Sequence, residues 1–307
     1  MRVVFFGTPH FAVPSLAALL EAGVDVAAVV TQPDRPHARS HSTLVPPPVK
    51  ELAQRTSIPV LQPDRPRGAE FVAALSAYHA DLGVVVAYGH LIRPDIFALF
   101  RLGLVNVHAS LLPRWRGAAP IQWAMLSGDA NTGVAIMRIE AGLDTGAVWQ
   151  TATMPIGPGD TTGSLTPALA TLGAATLIAT LPAIAAGKTP VPQPLDGVTL
   201  APKVDRALAR VQWHESAFSV SCRMRAMDPA PGAWSTYQGA DIKLFAPTLT
   251  GSTPAEAPGT IRGDAGALTV AARDGWITIG EVQPAGKRRM PAAEWLRGIG
   301  GGEKQLV

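Results

Sequence analysis

Asn106 and His108 are the residues whose types and spacing first suggest chemistry. They lie two positions apart in Leu104–His108, a short apolar segment that is typical of a buried strand. Because alternate residues of a strand face the same side, the amide and the imidazole should point in the same direction. An amide can stabilise a developing oxyanion, and an imidazole can move a proton near neutral pH. The pair fits acyl chemistry, although a structural histidine satisfies the same pattern.

A carboxylate that could assist this histidine lies in the segment Glu140–Gly146. Asp144 stands there between two glycines, at the position of a turn. A carboxylate beside a catalytic histidine holds the ring in one tautomer and stabilises its charged form. An aspartate that only stabilises a turn explains the same local sequence, so both interpretations stay open.

The segment Ser110–Ile121 follows the Asn-x-His pair directly. Pro113, Gly117 and Pro120 predict an irregular loop that leads into a helix at Gln122–Met125. Within this loop two arginines flank a tryptophan, an arrangement that does not belong to a solvated helix face. The loop is therefore a candidate part of the same site.

The turn Gly7-Thr8-Pro9 occupies the position where a dinucleotide-binding fold has its glycine fingerprint. That fingerprint needs three glycines, and only Gly7 is present. An ordinary strand-to-helix turn explains the segment better than a nicotinamide site.

The elements that must position these residues alternate between strands and helices in the first half of the chain. The predicted strands are Val3–Phe6, Val24–Val30, Val60–Gln62, Leu82–Ala87 and Leu104–His108. The predicted helices are Phe11–Glu21, Pro48–Thr56 and Ala69–His79. This order predicts an α/β fold, a Rossmann-like domain with a mostly parallel sheet. Ligands of such sheets bind beyond the carboxyl ends of the strands.

The composition and the pattern of predicted elements change after Gly187. Thr189–Pro202 contains four prolines and predicts a stiff, extended linker. A helix is predicted at Ala217–Met227. Short strands are predicted at Ala233–Tyr237, Ile242–Phe245, Gly259–Ile261, Leu268–Ala272 and Trp276–Ile279. Closely spaced short strands predict a small, OB-like β-barrel. We expect a domain at 1–188, a linker at 189–206 and a barrel domain at 207–307.

Composition narrows the classes of protein further. The 307 residues include one cysteine, which excludes an internal disulfide and a thiolate zinc cluster. The net charge is +3, and the last third of the chain carries the excess, a weak indication of a polyanionic partner. Thr161–Gly187 carries no charge but is rich in threonine and alanine and contains two prolines. We expect a buried or half-buried helix there, and a cytoplasmic protein without a membrane span.

Several of these motifs together carry a family resemblance. Asn106-x-His108, Ser110–Ile121 and Leu143–Gly146 resemble the signature of the 10-formyltetrahydrofolate-dependent formyltransferases. Supporting matches are Phe6–Pro9, Thr31–Pro36, Val85–Gly89 and Gln283–Lys287. The resemblance runs across essentially the whole chain. It implies 10-formyltetrahydrofolate as formyl donor and, within the family, the α-amine of methionyl initiator tRNA as acceptor.

The resemblance also implies roles for the residues of the site. Asn106 would stabilise the oxyanion, His108 would handle the proton, and Asp144 would orient His108. The folate-lining residues would be Ser110, Leu111, Leu112, Pro113, Val86, Tyr88 and Gly89. No metal is expected, because the donor is already activated.

The tRNA-binding residues implied by the resemblance lie in two segments. Asp34–Lys50 would reach the acceptor stem with Arg35 and Arg39, and the other segment supplies Lys287, Arg288 and Arg289. A solvated surface explains both segments equally well. The chain departs from the family's usual residues beside Arg39 and at Met227, Asp228 and Ala230. Because of the departures beside Arg39, we expect fewer contacts to tRNA phosphates. We also expect the enzyme to be a monomer.

Two other interpretations remain. Formyltransferases that act on sugar nucleotides or other small amines share the Asn, His and Asp pattern. A catalytically idle RNA-binding relative would share the shape of the protein, although the complete set of Asn106, His108 and Asp144 argues against it.

Overall fold

The computed structural model describes residues 1–37, 40–251, 253–264, 266–299 and 304–307. The chain forms two compact units. The first unit comprises residues 1–117, 132–154 and 166–200, and the second comprises residues 118–131, 155–165 and 201–307.

The strands and helices of the described residues are as follows. The strands are β1 Arg2–Gly7, β2 Asp25–Val30, β3 Arg35–His37, β4 Ser40–Val45, β5 Val60–Leu61, β6 Leu82–Val86, β7 Leu104–His108, β8 Arg116–Gly117, β9 Asn131–Arg138, β10 Val148–Pro155, β11 Leu200–Ala201, β12 Ala233–Tyr237, β13 Ala240–Thr250, β14 Ile261–Asp264, β15 Ala267–Ala271, β16 Trp276–Pro284 and β17 Met290–Pro291. The helices are α1 Val13–Glu21, α2 Pro48–Arg55, α3 Ala69–Ser76, α4 Pro94–Phe97, α5 Pro120–Leu126, α6 Thr162–Ala185, α7 Ala217–Met227 and α8 Ala292–Gly298.

The first unit is built on one sheet with the order β10-β9-β7-β6-β1-β2-β5. The central strands β1 and β6 are buried along almost their whole length, as apolar runs covered on both faces must be. β1 pairs in parallel with β2 and β6, and β6 pairs in parallel with β7. The predicted α/β class with a mostly parallel sheet is confirmed.

The edge beyond β7 differs from the predicted alternation. β9 pairs with β7 in the antiparallel direction and places Ala135 opposite His108. Neither β9 nor β10 was predicted, because no helical pattern separates these strands from the neighbouring loops. As a result, a strand lies on each side of β7, which holds the candidate pair rigidly.

α6 packs close to the strand that carries the site. A Cβ atom at Gly173 would lie only 2.7 Å from Cγ1 of Val107, so glycine permits this approach. Among the described residues, α6 is the helix whose length and composition would allow it to cross a membrane, but half of its most apolar 18-residue window is buried in the protein. Leu177 and Ile184 belong to the core beneath the sheet, in agreement with the expected half-buried helix.

The second unit contains an antiparallel sheet with the order β12-β13-β16-β15-β14, to which β17 adds beside β16. β12 alternates buried and half-buried residues, as a strand with one face on a core does. Its inward side chains pack with those of α7 and the other strands in one apolar cluster. The small β domain predicted for the C-terminal part of the chain is confirmed, and its sheet is antiparallel.

Residues 304–307 join the two edge strands of this sheet. Thr236 of β12 and Val307 exchange backbone hydrogen bonds of 2.9 and 3.0 Å. On the other side, Ile261 donates to the carbonyl of Lys304 at 2.7 Å, and Leu306 donates to that of Gly259 at 2.9 Å. This tail segment, defined as residues 304–307, therefore closes the sheet into a barrel.

Leu306→Ala should destabilise the barrel, because Leu306 is 1% exposed and belongs to the apolar cluster. Removing a buried leucine side chain typically costs about 2–5 kcal/mol. Urea unfolding measures the loss. Val307→Ala is the matched control, since Val307 is 59% exposed and its backbone bonds survive the change. Equal unfolding midpoints for the two variants would contradict a role of Leu306 in the core.

Candidate active site

The carboxyl end of β7 brings Asn106 and His108 to the edge of the sheet where ligands bind in α/β folds. Asn106 lies opposite Val85 of β6, and His108 follows two residues later on the same side of the strand. Val107, between them, belongs to the core on the opposite face. Asn106 is half-buried, and the side chain of His108 is only 6% exposed.

Hydrogen bonding fixes the orientation of the His108 ring. Nε2 lies 2.9 Å from the backbone carbonyl oxygen of Trp115. Because a carbonyl can only accept, Nε2 carries the hydrogen and donates it. In the neutral ring Nδ1 then holds the lone pair, and it faces Oδ2 of Asp144 at 3.7 Å. The Asp144 carboxylate therefore lies on the Nδ1 side of the ring.

Asp144 is held in place by the loop that follows β7. Its Oδ2 accepts a 2.8 Å hydrogen bond from the backbone N–H of Gly117. The residue has a φ of +51°, a left-handed conformation that is uncommon for a residue with a side chain. The carboxylate is 13% exposed. A negative charge is therefore positioned beside the His108 ring in a largely desolvated place.

The loop from Ser110 to Gly117 is also fixed by internal contacts. The Ser110 hydroxyl donates to the carbonyl of Arg114 at 2.6 Å, and the Arg114 guanidinium lies 4.6 Å from the centre of the Trp115 ring. The N–H of Trp115 donates to the hydroxyl of Thr199 at 2.9 Å. The carbonyl that orients His108 consequently belongs to a segment with little freedom.

The predicted folate-lining residues differ in what their side chains can reach. Ser110 is fully buried, whereas Leu111, Leu112 and Pro113 are half-buried along the loop. Val86 is fully buried in the core at the end of β6. These positions meet around the carboxyl ends of β6 and β7, but the side chain of Val86 is occupied by the core.

The Tyr88 side chain is buried in the core, so Tyr88 and Gly89 can line the predicted folate site only with their backbone atoms. Tyr88 is 2% exposed and packs edge-to-face on Phe6, with ring centres 5.7 Å apart. Burial raises the pKa of the Tyr88 hydroxyl to about 12, and within the described part of the chain that hydroxyl makes no hydrogen bond. The Tyr88 carbonyl accepts 3.0 Å bonds from Thr8 and Gln32. Gly89 has a φ of +84°, which glycine adopts without strain.

The segment that was expected to reach tRNA begins as a hairpin. β3 and β4 pair in the antiparallel direction, with Arg35 opposite Val45. Arg35 is exposed and donates to the side chain of Gln32. Arg39 lies outside the described residues.

A polar cluster anchors the base of this hairpin. The Lys50 ammonium donates to both carboxylate oxygens of Asp34 at 2.8 and 2.7 Å, and the Gln62 amide donates to Oδ1 at 2.7 Å. The bonds from Gln62 and Lys50 lower the pKa of Asp34. The residues next to the paired strands β3 and β4 are therefore held in place.

The three basic residues near the end of β16 have different surroundings. Lys287 and Arg288 are exposed. The Arg289 guanidinium instead pairs with Asp228 at 2.8 and 3.1 Å and with Glu281 at 2.7 Å. It also lies 3.9 Å from the centre of the Phe245 ring. Asp228 and Glu281 thus offset the charge of Arg289.

Two residues near the site were missed by sequence reasoning. Thr199 holds the backbone of Trp115, and Gln193 contacts the loops on both sides of the site. Both lie in the proline-rich segment that was interpreted only as a linker. A polar residue between two prolines is a weak signal, and nothing in the local pattern points to a partner. Among the described residues, no group of three His, Cys, Asp or Glu side chains could hold a metal ion.

Known protein families match both parts of the chain. The formyl transferase family matches residues 1–181, and the family of formyl transferase C-terminal domains matches residues 203–300. A methionyl-tRNA formyltransferase of Salinispora tropica is 45% identical over 300 residues, which cover 97% of each chain.

The chain belongs to the methionyl-tRNA formyltransferase family.

Two solved structures share the fold of this family member. The N-formyltransferase of Helicobacter canadensis, in complex with folinic acid and dTDP-3-aminofucose, aligns with a TM-score of 0.70 and 17% identity, over 92% of this chain and 99% of that one. HypX of Aquifex aeolicus, in complex with tetrahydrofolic acid, aligns with a TM-score of 0.67 and 20% identity. That alignment covers 99% of this chain and 48% of HypX.

Proposed function

We propose that this protein transfers the formyl group of 10-formyltetrahydrofolate to the α-amino group of methionyl initiator tRNA, for translation initiation. The observation that carries the proposal is the convergence of Asn106, His108 and Asp144 in a chain that matches methionyl-tRNA formyltransferases over its full length. An alternative acceptor is the amine of a sugar nucleotide or another small amine. The solved Helicobacter canadensis N-formyltransferase is in complex with such a sugar nucleotide, dTDP-3-aminofucose.

The reaction forms one C–N bond and breaks another. The neutral amine attacks the formyl carbon, negative charge develops on the formyl oxygen, and tetrahydrofolate leaves with a proton that the amine has lost. Asn106 donates a hydrogen bond to the developing oxyanion. His108 takes up and returns the proton at Nδ1, because Nε2 is bonded to the Trp115 carbonyl and the 3.7 Å distance to Asp144 leaves Nδ1 without a hydrogen bond to that carboxylate.

Asp144 supports the charged state of that ring. The carboxylate lies 3.7 Å from Nδ1 and is itself fixed by the N–H of Gly117. In a site with little water, a fixed charge at this distance stabilises the imidazolium more than it would in solution. Asp144 therefore orients His108 and lowers the cost of charging it.

The substrates would be held by separate parts of the chain. The folate would lie along Ser110, Leu111, Leu112 and Pro113, beside the backbone of Val86, Tyr88 and Gly89. Residues 1–188 form the catalytic domain in this proposal, 189–206 the linker and 207–307 the tRNA-binding barrel; the two family matches support this division. Lys287 and Arg288 would contact phosphates, and the neutralised Arg289 would contribute least.

The proposed enzyme works as a monomer in the cytoplasm, where aminoacylated tRNA is used in translation. Its chemistry needs no metal, because the formyl donor is already activated.

The test is transfer of label from a labelled formyl donor. The purified protein is incubated with the donor and either methionyl initiator tRNA or an amino sugar nucleotide. Label on the methionyl-tRNA supports the proposal, and label on the sugar nucleotide alone supports the alternative. Absence of transfer to either acceptor would leave the RNA-binding relative as the better interpretation.

Arg39→Ala should weaken formylation of methionyl-tRNA if the Asp34–Lys50 segment reaches the acceptor stem. Each lost phosphate contact lowers the affinity for tRNA. It also makes the slope of log affinity against log salt concentration shallower by about 0.7–0.9. The measurement is kcat/KM for methionyl-tRNA at several salt concentrations. Arg55→Ala is the matched control, because Arg55 is an exposed arginine at the end of α2. Unchanged kinetics in both variants would remove Arg39 from tRNA recognition.

A further inference from the structure

The amide of Gln193 joins the loop that carries Asp144 to the loop after β7, whose Trp115 carbonyl orients His108. Its Oε1 accepts hydrogen bonds from Nε and Nη2 of Arg116, at 3.0 and 2.6 Å. Its Nε2 donates to the backbone carbonyls of Asp144 and Gly146, at 2.9 and 2.8 Å. Both ends of one half-buried side chain are thus used, and they connect the loop after β7 with the Asp144 loop.

The Asp144 loop needs such support. Asp144 adopts a φ of +51°, and conformations of this kind persist only where the surroundings hold them. Gln193 holds the backbone of Asp144 through its carbonyl, and Gly117 holds its side chain through Oδ2. The carboxylate is therefore fixed at both ends, 3.7 Å from Nδ1 of His108.

Gln193 is well placed to act as a rigid support because its own backbone is restrained. Pro192 and Pro194 flank it and limit the backbone conformations of the segment. Before it, Val191 and Val148 exchange backbone bonds of 2.9 and 2.8 Å. After it, Thr199 accepts from the N–H of Trp115 through its hydroxyl. Little additional backbone entropy is lost when the amide makes its four bonds.

We propose that Gln193 is a positioning residue that fixes the Asp144 loop beside the His108 ring and ties it to the Arg116 side chain of the loop after β7. This inference rests on the proposed formyl transfer. The proline-rich segment is then part of the catalytic framework as well as a connection. A displacement of about 1 Å at such a site can lower turnover about 100-fold, since reactivity depends steeply on the geometry of the catalytic groups.

Three variants separate the contributions of the amide. Gln193→Met keeps the length of the side chain and removes the hydrogen bonds to both loops. Gln193→Glu keeps an acceptor for Arg116 but places a carboxylate oxygen against the carbonyls of Asp144 and Gly146. Leu195→Ala is the control in the same segment, because Leu195 is 94% exposed.

The measurement is kcat and KM for both substrates, together with the thermal unfolding temperature. We expect Gln193→Met to lower kcat about 10- to 100-fold while both KM values stay within about twofold. Gln193→Glu should lose at least as much, because the bonds to the Asp144 loop are the ones that it breaks. Leu195→Ala should match the unmodified enzyme. A smaller folded fraction would also lower the apparent kcat without changing KM, so kcat is expressed per folded enzyme. The thermal unfolding temperature shows whether each variant is folded at the assay temperature.

The inference is overturned if Gln193→Met retains kcat within twofold. It is also overturned if a smaller folded fraction at the assay temperature explains the whole loss of kcat. A Gln193→Glu variant with full turnover would also overturn it. Failure of the proposed function gives a different result, because the unmodified enzyme and Leu195→Ala would then transfer no formyl group to methionyl-tRNA.

Discussion

His108→Ala is expected to lower kcat for formylation of methionyl-tRNA by about 100- to 10,000-fold. Proton transfer by a positioned side chain contributes this much to typical reactions. The ring that alanine removes is oriented by the Trp115 carbonyl and faces Asp144, and no other described imidazole shares these contacts. Asp144→Ala should lower kcat in the same direction, because it removes the charge that stabilises the imidazolium. Single-turnover measurements with saturating donor and acceptor report the chemical step.

Two control variants keep this test independent of folding. Alanine leaves the buried Trp115 carbonyl without its donor, which costs about 1–3 kcal/mol of stability. His108→Gln retains a donor at a similar reach and cannot act as an imidazole base, so it should fold and remain slow. His214→Ala removes an exposed histidine and should leave kcat unchanged. Turnover close to that of the unmodified enzyme in His108→Gln would remove His108 from proton transfer.

Asn106→Ala is the second change with a large expected effect. Loss of one oxyanion donor typically costs about 2.7–4 kcal/mol, or about 100- to 1,000-fold in kcat. Asn106 suits this role because it is half-buried at the carboxyl end of β7, and no side-chain hydrogen bond to another described residue occupies its amide. The donor is thus free to meet the charge that develops on the formyl oxygen.

The kinetic pattern distinguishes this role from substrate binding. A group that acts only in the transition state lowers kcat and kcat/KM equally, whereas a binding group raises KM. We therefore expect both KM values to change little in Asn106→Ala. Asn131→Ala is the matched control, since Asn131 is exposed at the start of β9. A rise in KM with unchanged kcat would assign Asn106 to binding alone.

Combining His108→Ala with Asn106→Ala also tests whether the two residues act together in one step. In a site where the oxyanion donor and the proton carrier serve the same transition state, the effects of removing both are not additive. The double variant should be slower than either single variant but faster than the product of the two effects predicts. Simple multiplication would indicate that the two groups contribute independently to the rate-limiting step.

Local sequence patterns were sufficient for the central part of the fold. The apolar run Leu104–His108 predicted a strand with the observed bounds, and strand periodicity alone places Asn106 and His108 on one side. The alternation of apolar runs with helical patterns predicted the parallel sheet, because hydrophobic period and element type are properties of neighbouring residues. The helix Ala217–Met227 was predicted with its observed bounds for the same reason.

Local sequence patterns did not predict the hydrogen-bond partners of the site residues. That Asp144 lies beside His108 follows from the family resemblance, but the fixing of each by Gly117 and Trp115 depends on the path of an irregular loop. Likewise, Arg289 is one of three adjacent basic residues in sequence, and only its packing against Asp228, Glu281 and Phe245 distinguishes it from its neighbours.

The amino-acid sequence by itself determined the α/β class, the strand that presents the amide and the imidazole, and the change to short strands after the proline-rich segment. The tertiary structure decided that Gln193 in that segment supports the Asp144 loop, and that residues 304–307 close the barrel. The physical reason is the range of the interactions. Hydrophobic periodicity acts between residues a few positions apart, whereas these hydrogen bonds join distant segments whose approach is set by the packing of the whole unit.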